Sequence, residues 1–203
     1  MRHDPYRRLS KATIYENRWL SVEAHRIAHP NGEPGEHLVV VTPQACAVIA
    51  EDDGDLLFTS QPRFAARAYV VEIVKGGRMG TETPLESAQR ELREELGVTA
   101  RSWSALGSLH EIPSIVDPPV AVFVARELEY GPSQPSEAES ITLVRLTIAE
   151  ALAAASHGEL DDAVTVAALF RFAAVAGYLR APAKKQREQK HDGRGDERNA
   201  ARQ

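Results

Sequence analysis

Apolar residues alternate with polar ones at Leu20, Val22 and Ala24, the period-two pattern of a half-buried strand. Pro30-Asn31-Gly32 is a turn signal, and Leu38-Val39-Val40-Val41 reads as the returning strand. Two apolar runs, 46–50 and 56–58, flank the polar Asp52-Asp53-Gly54-Asp55, a layout that predicts a hairpin. Residues 69–74 form one more β-branched run.

The period then changes. Thr83-Pro84-Leu85-Glu86 is a capping box with proline at the first helical position. Leu85, Ala88, Leu92 and Leu96 follow at helical spacing, and Gly97 is the expected left-handed terminator. Strands are predicted to resume over 106–112, 120–125 and 141–146. Thr147-Ile148-Ala149-Glu150 is a second capping box, opening an Ala-rich helix that ends near Gly158. Asp161 or Asp162 is expected to cap a last helix running to about Leu179. Strands first and helices interleaved later predict an α+β fold, an α/β/α sandwich on a mixed sheet.

Composition narrows the class of protein. The chain has 203 residues, 43% hydrophobic and 26% charged, enough for one domain with a sizeable core. No apolar run approaches the roughly 20 residues that span a bilayer, and no secretory signal follows the basic N-terminus. One cysteine, Cys46, excludes an internal disulfide framework and reads as a buried small apolar residue. A cytoplasmic, reducing compartment is expected. The net charge of −5 is uneven. Residues 182–203 carry seven Lys/Arg against four Asp/Glu, which leaves −8 on residues 1–181. An acidic body argues against nucleic-acid binding. The charged tail 182–203 has almost no large apolar residue and is expected to be disordered. The seven histidines form no metal-ligand pair at helical spacing; His110, on a predicted strand, reads as structural.

The chemistry sits in residues 76–98, GGRMGTETPLESAQRELREELGV. Glu91, Glu94 and Glu95 fall on neighbouring parts of one helix face, and Arg90 stands four residues before Glu94. Clustered carboxylates repel, and a hard divalent cation relieves that cost. An arbitrary Glu/Arg-rich helix face is more often solvated. The spacing here is not arbitrary. Gly76, Glu82, Arg90, Glu91, Leu92, Glu94, Glu95, Gly97 and Val98 fill every defined position of the Nudix box, G-x5-E-x7-R-E-U-x-E-E-x-G-U with U aliphatic. At average residue frequencies the chance of this is on the order of 10⁻⁷. The chain therefore resembles a Nudix hydrolase.

That resemblance implies a Nudix-type α/β/α sandwich with a mixed sheet, and hydrolysis of a nucleoside diphosphate linked to another group. It implies Mg²⁺ or Mn²⁺ held by Glu91 and Glu95 and by the carbonyl of Lys75. Glu94 stands close by as a catalytic carboxylate; Gly76, Glu82, Arg90 and Gly97 hold the loop and helix in place. The segment YENRWLSVEAHRIAHPNG resembles the N-terminal antiparallel β arm of ADP-ribose pyrophosphatases, which is exchanged between the subunits of a homodimer. Pro113, 15 residues after Val98, matches a proline of that subgroup, and LDDAVTVAALFRF resembles its last helix. The division implied is an arm over 1–43, a catalytic domain over 44–181 and the tail. Gln61-Pro62-Arg63-Phe64 is similar to a family stretch in which Arg63 would meet the diphosphate and Phe64 would stack on adenine. Glu137-Ala138-Glu139-Ser140-Ile141 matches an E-x-E-x-I pattern, with Glu137 the general base and Glu139 a further metal ligand. One departure stands out: relatives read E-x-P-A-G before the box, whereas Val74 and Lys75 replace the Pro-Ala pair here, where a lysine would alter phosphate contacts. The expected activity is hydrolysis of ADP-ribose, a small-molecule nucleotide, to AMP and ribose 5-phosphate. The alternatives are another nucleotide sugar, dinucleotide or ADP compound as substrate, or a catalytically silent nucleotide sensor.

Overall fold

The computed structural model describes residues 4–133 and 140–179. Glu137, Glu139 and the tail 182–203 lie outside the described residues. The chain forms a first sheet from β1 (Arg7–Glu16), β2 (Ser21–Ala28), β3 (Pro34–Val41) and the two-residue β9 (Val116–Asp117). The larger sheet contains β4 (Ala45–Asp52), β5 (Asp55–Arg63), β6 (Ala68–Glu72), β7 (Val74–Gly77), β8 (Val98–Leu109), β10 (Val120–Tyr130) and β11 (Thr142–Thr147). Its order is β11-β5-β4-β10-β8, with β6 on β5 and β7 on β4. Only β4 and β10 run parallel within it, so the sheet is mixed.

Among the described residues, three helices cover the two faces: α1 (Pro84–Leu96) on one, α2 (Ile148–His157) and α3 (Ala163–Val175) on the other. The central strand β4 explains why. Its Cys46, Val48 and Ala50 pack with Ala88 and Leu92 of α1. The alternate residues Ala47 and Ile49 pack with Ala168, Leu169 and Phe172 of α3. A strand buried on both faces reads as a continuous apolar run rather than an alternation. Glu51 at its end pairs with Arg126 of β10 at 2.6 Å.

Both capping boxes form, with Thr83 and Thr147 accepting from the N3 amides of Glu86 and Glu150. Asp162 caps α3. Several boundaries differ from the sequence reading. β1 was not expected: its ten residues are all exposed, so no buried stripe marks it. The single run 69–74 breaks at Ile73, whose N–H leaves the sheet to donate to Thr165 Oγ1 of α3 at 3.1 Å. The strand expected over 106–112 begins at Val98 and ends at Leu109, so His110 lies just beyond it. The last helix stops at Val175 rather than near Leu179.

Gly97 has two reasons to be glycine. Its φ of 66° is in the left-handed region that closes α1. A Cβ there would also overlap the backbone of residues 131–133, the chain leaving β10. The Gly97 carbonyl accepts from the Gly131 N–H at 2.7 Å. Gly97→Ala is therefore expected to cost about 2 kcal/mol, from the φ penalty plus displacement of that backbone. A melt should show a fall of roughly 4–8 °C; an unchanged melting temperature would contradict the packing described.

Candidate active site

The loop before α1 and the helix itself are joined through one side chain. Arg90 donates from Nε to Glu82 Oε1, from Nη2 to the Gly77 carbonyl, and from Nη1 to Glu91 Oε1 and Glu94 Oε2, each at 2.9 Å. Glu82 in turn accepts from the Met79 N–H at 2.9 Å and from Ser87 Oγ at 3.0 Å. The guanidinium thus fastens β7, the loop and the helix face to one point. The fork geometry of arginine suits this, and lysine could not make four such bonds in a plane.

The electrostatics follow. Arg90, then the Met79 amide, hold the Glu82 carboxyl down to about 2. Glu82 in return raises the already high pKa of Arg90, so both groups remain charged. Beneath the loop, the Cys46 thiol donates to the Gly76 carbonyl at 3.5 Å. Burial, then the nearby Glu91 charge, push that thiol up to about 12, so it stays protonated, as its apolar setting suggested.

Gly76 lies directly against Glu91: any Cβ at residue 76 would overlap the Glu91 carboxyl group. Glu91 is only 13% exposed as a result, while Glu94 is 39% exposed. Glu95, the next residue on the helix, is half-buried. These carboxylates and the backbone carbonyl of Lys75 are all hard oxygen donors, the chemistry that Mg²⁺ or Mn²⁺ requires. Among the described residues no three acidic, His or Cys side chains are gathered as a ready metal cluster. Arg90 holds Glu91 and Glu94 instead, supplying the positive charge this face needs.

The structure brings Arg63 toward the same strand system by a second set of charges. Arg63, at the end of β5, donates through Nε at 2.7 Å and also through Nη2 to Glu72 Oε1. Lys75 Nζ bonds Glu72 Oε2 at 2.8 Å and Asp162 Oδ1 at 2.6 Å. The Lys75 side chain is therefore turned to two carboxylates of the framework. Burial opposes the charge on Asp162, but Lys75 and Thr165 outweigh it and keep its pKa below the usual value. The sequence marked Asp162 only as a helix cap and Glu72 only as the first residue of the stretch before the box, and it did not single out Thr165.

Phe64 follows Arg63 in the turn between β5 and β6 and is fully exposed. With Arg63, Arg67 and Tyr69 it lines an open cavity of about 810 Å³. Pro113 lies elsewhere, in a cavity of about 570 Å³ with Tyr6, Arg8, His25 and His37 against the first sheet. The two groups of expected substrate residues thus occupy different cavities of the chain.

Residues 41–174 match the NUDIX domain, and the chain belongs to the Nudix family. It is a Nudix hydrolase acting on pyrophosphate bonds of nucleoside diphosphate compounds. Residues 6–40 match the nucleoside diphosphate sugar hydrolase N-terminal domain. The ADP-ribose pyrophosphatase of Bacillus subtilis (strain 168) is 29% identical over 164 residues, which cover 79% of this chain and 89% of that one. The ADP-ribose pyrophosphatase of Mycobacterium tuberculosis (strain ATCC 25618 / H37Rv) is 29% identical over 177 residues, covering 85% of each. A crystal structure of an ADP compounds hydrolase has the same fold, with a TM-score of 0.75 at 24% identity over 87% of this chain and 97% of that one. No helix among the described residues is long and apolar enough to cross a membrane.

The Arg90–Glu82 pair sets an acid limit. The folded carboxyl lies at about 2 against an ordinary 4.5. A depressed pKa contributes stability that is complete above about 4.5 and disappears as the pH falls through about 2. Glu82→Gln should melt lower at neutral pH and show a flatter dependence of melting temperature between pH 4.5 and 2. Identical slopes in the two proteins would show that the pair adds nothing.

Proposed function

We propose that the chain hydrolyses ADP-ribose to AMP and ribose 5-phosphate with a divalent cation. The observation that carries this reading is the run of contacts from the carboxylate helix to the Arg63 cavity. Glu91 packs on Gly76; the preceding Lys75 bonds Glu72; Glu72 bonds Arg63; and Arg63 shares its cavity with the exposed Phe64. A guanidinium beside an exposed aromatic ring suits a diphosphate next to a base. The two ADP-ribose pyrophosphatases named above, each 29% identical over most of the chain, support ADP-ribose as the compound.

Glu91, Glu95 and the Lys75 carbonyl would hold Mg²⁺ or Mn²⁺, with Glu94 beside them. Bound there, the cation would neutralise pyrophosphate charge and lower the pKa of an attacking water. Arg63 would orient the diphosphate and Phe64 the adenine. The proton of the water needs a base. We assign Glu137 to that role and Glu139 to further ligation. Support comes from the described residues that precede them: residues 131–133 pack on Gly97, two positions beyond Glu95.

Glu95→Gln should lower kcat by at least about 10²-fold and raise the Mg²⁺ concentration for half-maximal rate. Glu137→Gln should lower kcat by roughly 10²–10⁴ with substrate affinity nearly unchanged. The assay is product analysis with ADP-ribose, GDP-mannose, NADH, diadenosine polyphosphates and 8-oxo-dGTP, each with Mg²⁺ and Mn²⁺. Fastest turnover of another compound would move the substrate while leaving the reaction in place.

The first sheet is proposed to join two chains into a homodimer. β1 leaves Leu9, Ile14 and Tyr15 exposed, and Tyr6 and Trp19 flank it in the same state. Obligate dimers bury about 2,000 Å² or more, largely apolar. Removing residues 1–43 should give insoluble or monomeric, inactive protein. An active monomer by light scattering would refute the arrangement.

A further inference from the structure

The lysine in place of the alanine of E-x-P-A-G has a consequence of its own. Glu72 is 2% exposed, and each of its carboxylate oxygens has its own cation, Arg63 on Oε1 and Lys75 on Oε2. Lys75 is itself fixed from the far side. Asp162 Oδ1 bonds its ammonium at 2.6 Å. Asp162 Oδ2 accepts from the Thr165 N–H at 2.8 Å and from Thr165 Oγ1 at 2.7 Å. Thr165, fully buried, accepts the Ile73 N–H, so α3, the β6–β7 break and Lys75 form one rigid unit.

We propose that the Lys75 side chain is a positioning residue for Arg63, setting how tightly the strand system holds the guanidinium and hence how far it reaches a diphosphate. The proposal rests on the reading of Arg63 given above. The physical reason is competition for a buried carboxylate. While Lys75 occupies Oε2, Arg63 is confined to Oε1 and stays 42% exposed at its cavity. Without that ammonium, a buried carboxylate oxygen loses its counter-charge, which is costly. The available remedy is a bidentate Arg63–Glu72 fork, the stronger geometry for this pair. That fork draws the guanidinium inward, away from the cavity.

A purely structural lysine would only balance Glu72 and Asp162, and two variants separate the roles. Lys75→Met should raise KM for ADP-ribose about tenfold, lower kcat by less than threefold and lower the melting temperature. Lys75→Met/Asp162→Asn again leaves equal numbers of cations and anions. It should recover the melting temperature while KM stays raised. A KM within twofold of wild type in Lys75→Met, or a double variant that recovers KM together with stability, would overturn the proposal. Failure of the functional reading looks different: the wild type then turns over another nucleoside diphosphate compound faster than ADP-ribose. Calorimetric binding of inorganic pyrophosphate in EDTA decides the proposal in that case too. Binding about tenfold weaker in both variants supports it; equal binding, or none by the wild type, overturns it.

Discussion

The arrangement depends on one guanidinium. Arg90 bonds a glutamate of the loop, a carbonyl of β7 and two glutamates of its own helix. Without it, three acidic side chains on one helix face would repel each other, and the loop of residues 78–83 would keep only the Ser87 hydroxyl and the capping box as anchors on the helix. With it, Glu91 and Glu94 are held to the same point as the loop, and part of their mutual repulsion is offset. The cost falls on position 76, where the carboxyl group of Glu91 takes the space of a side chain.

A second charged group, two carboxylates and two cations around Glu72, does similar work on the other side of β7. The two networks meet at consecutive residues. Lys75 belongs to the second through its side chain, and Gly76 to the first through the room it leaves. The strand between them is four residues long and paired to β4 along its length. Displacement of either network is thus transmitted to the other through a short, fully bonded segment.

Much of this was legible in the sequence, and the reasons differ by element. α1 was readable because capping box, apolar stripe and terminal glycine agree and need no tertiary information. For Glu82 and Arg90 the spacing gave the resemblance to the Nudix box, and the resemblance implied that they hold the loop and helix in place. β1 was not, because a strand exposed along its length carries no buried stripe. The break at Ile73 was hidden because its cause, a bond to Thr165, lies 92 residues away. The destination of the Lys75 ammonium was equally hidden, since Asp162 comes 87 residues later. Phe64 could be read from the sequence as core or as ligand contact, and full exposure removes the first possibility.

The parallel pair β4–β10 has a problem that the antiparallel hairpins escape. No turn joins the two strands directly, and β4 is apolar on both faces, so sliding it by one residue would still bury apolar side chains on either side. Hydrophobicity therefore cannot tell the right alignment from its neighbours. Glu51 and Arg126 mark it, standing one residue past the matched Ala50 and Ala125 and meeting at 2.6 Å. A surface ion pair adds little to stability. Here it serves as an index mark at the end of the parallel pair, a polar contact where the apolar residues of β4 offer no preference.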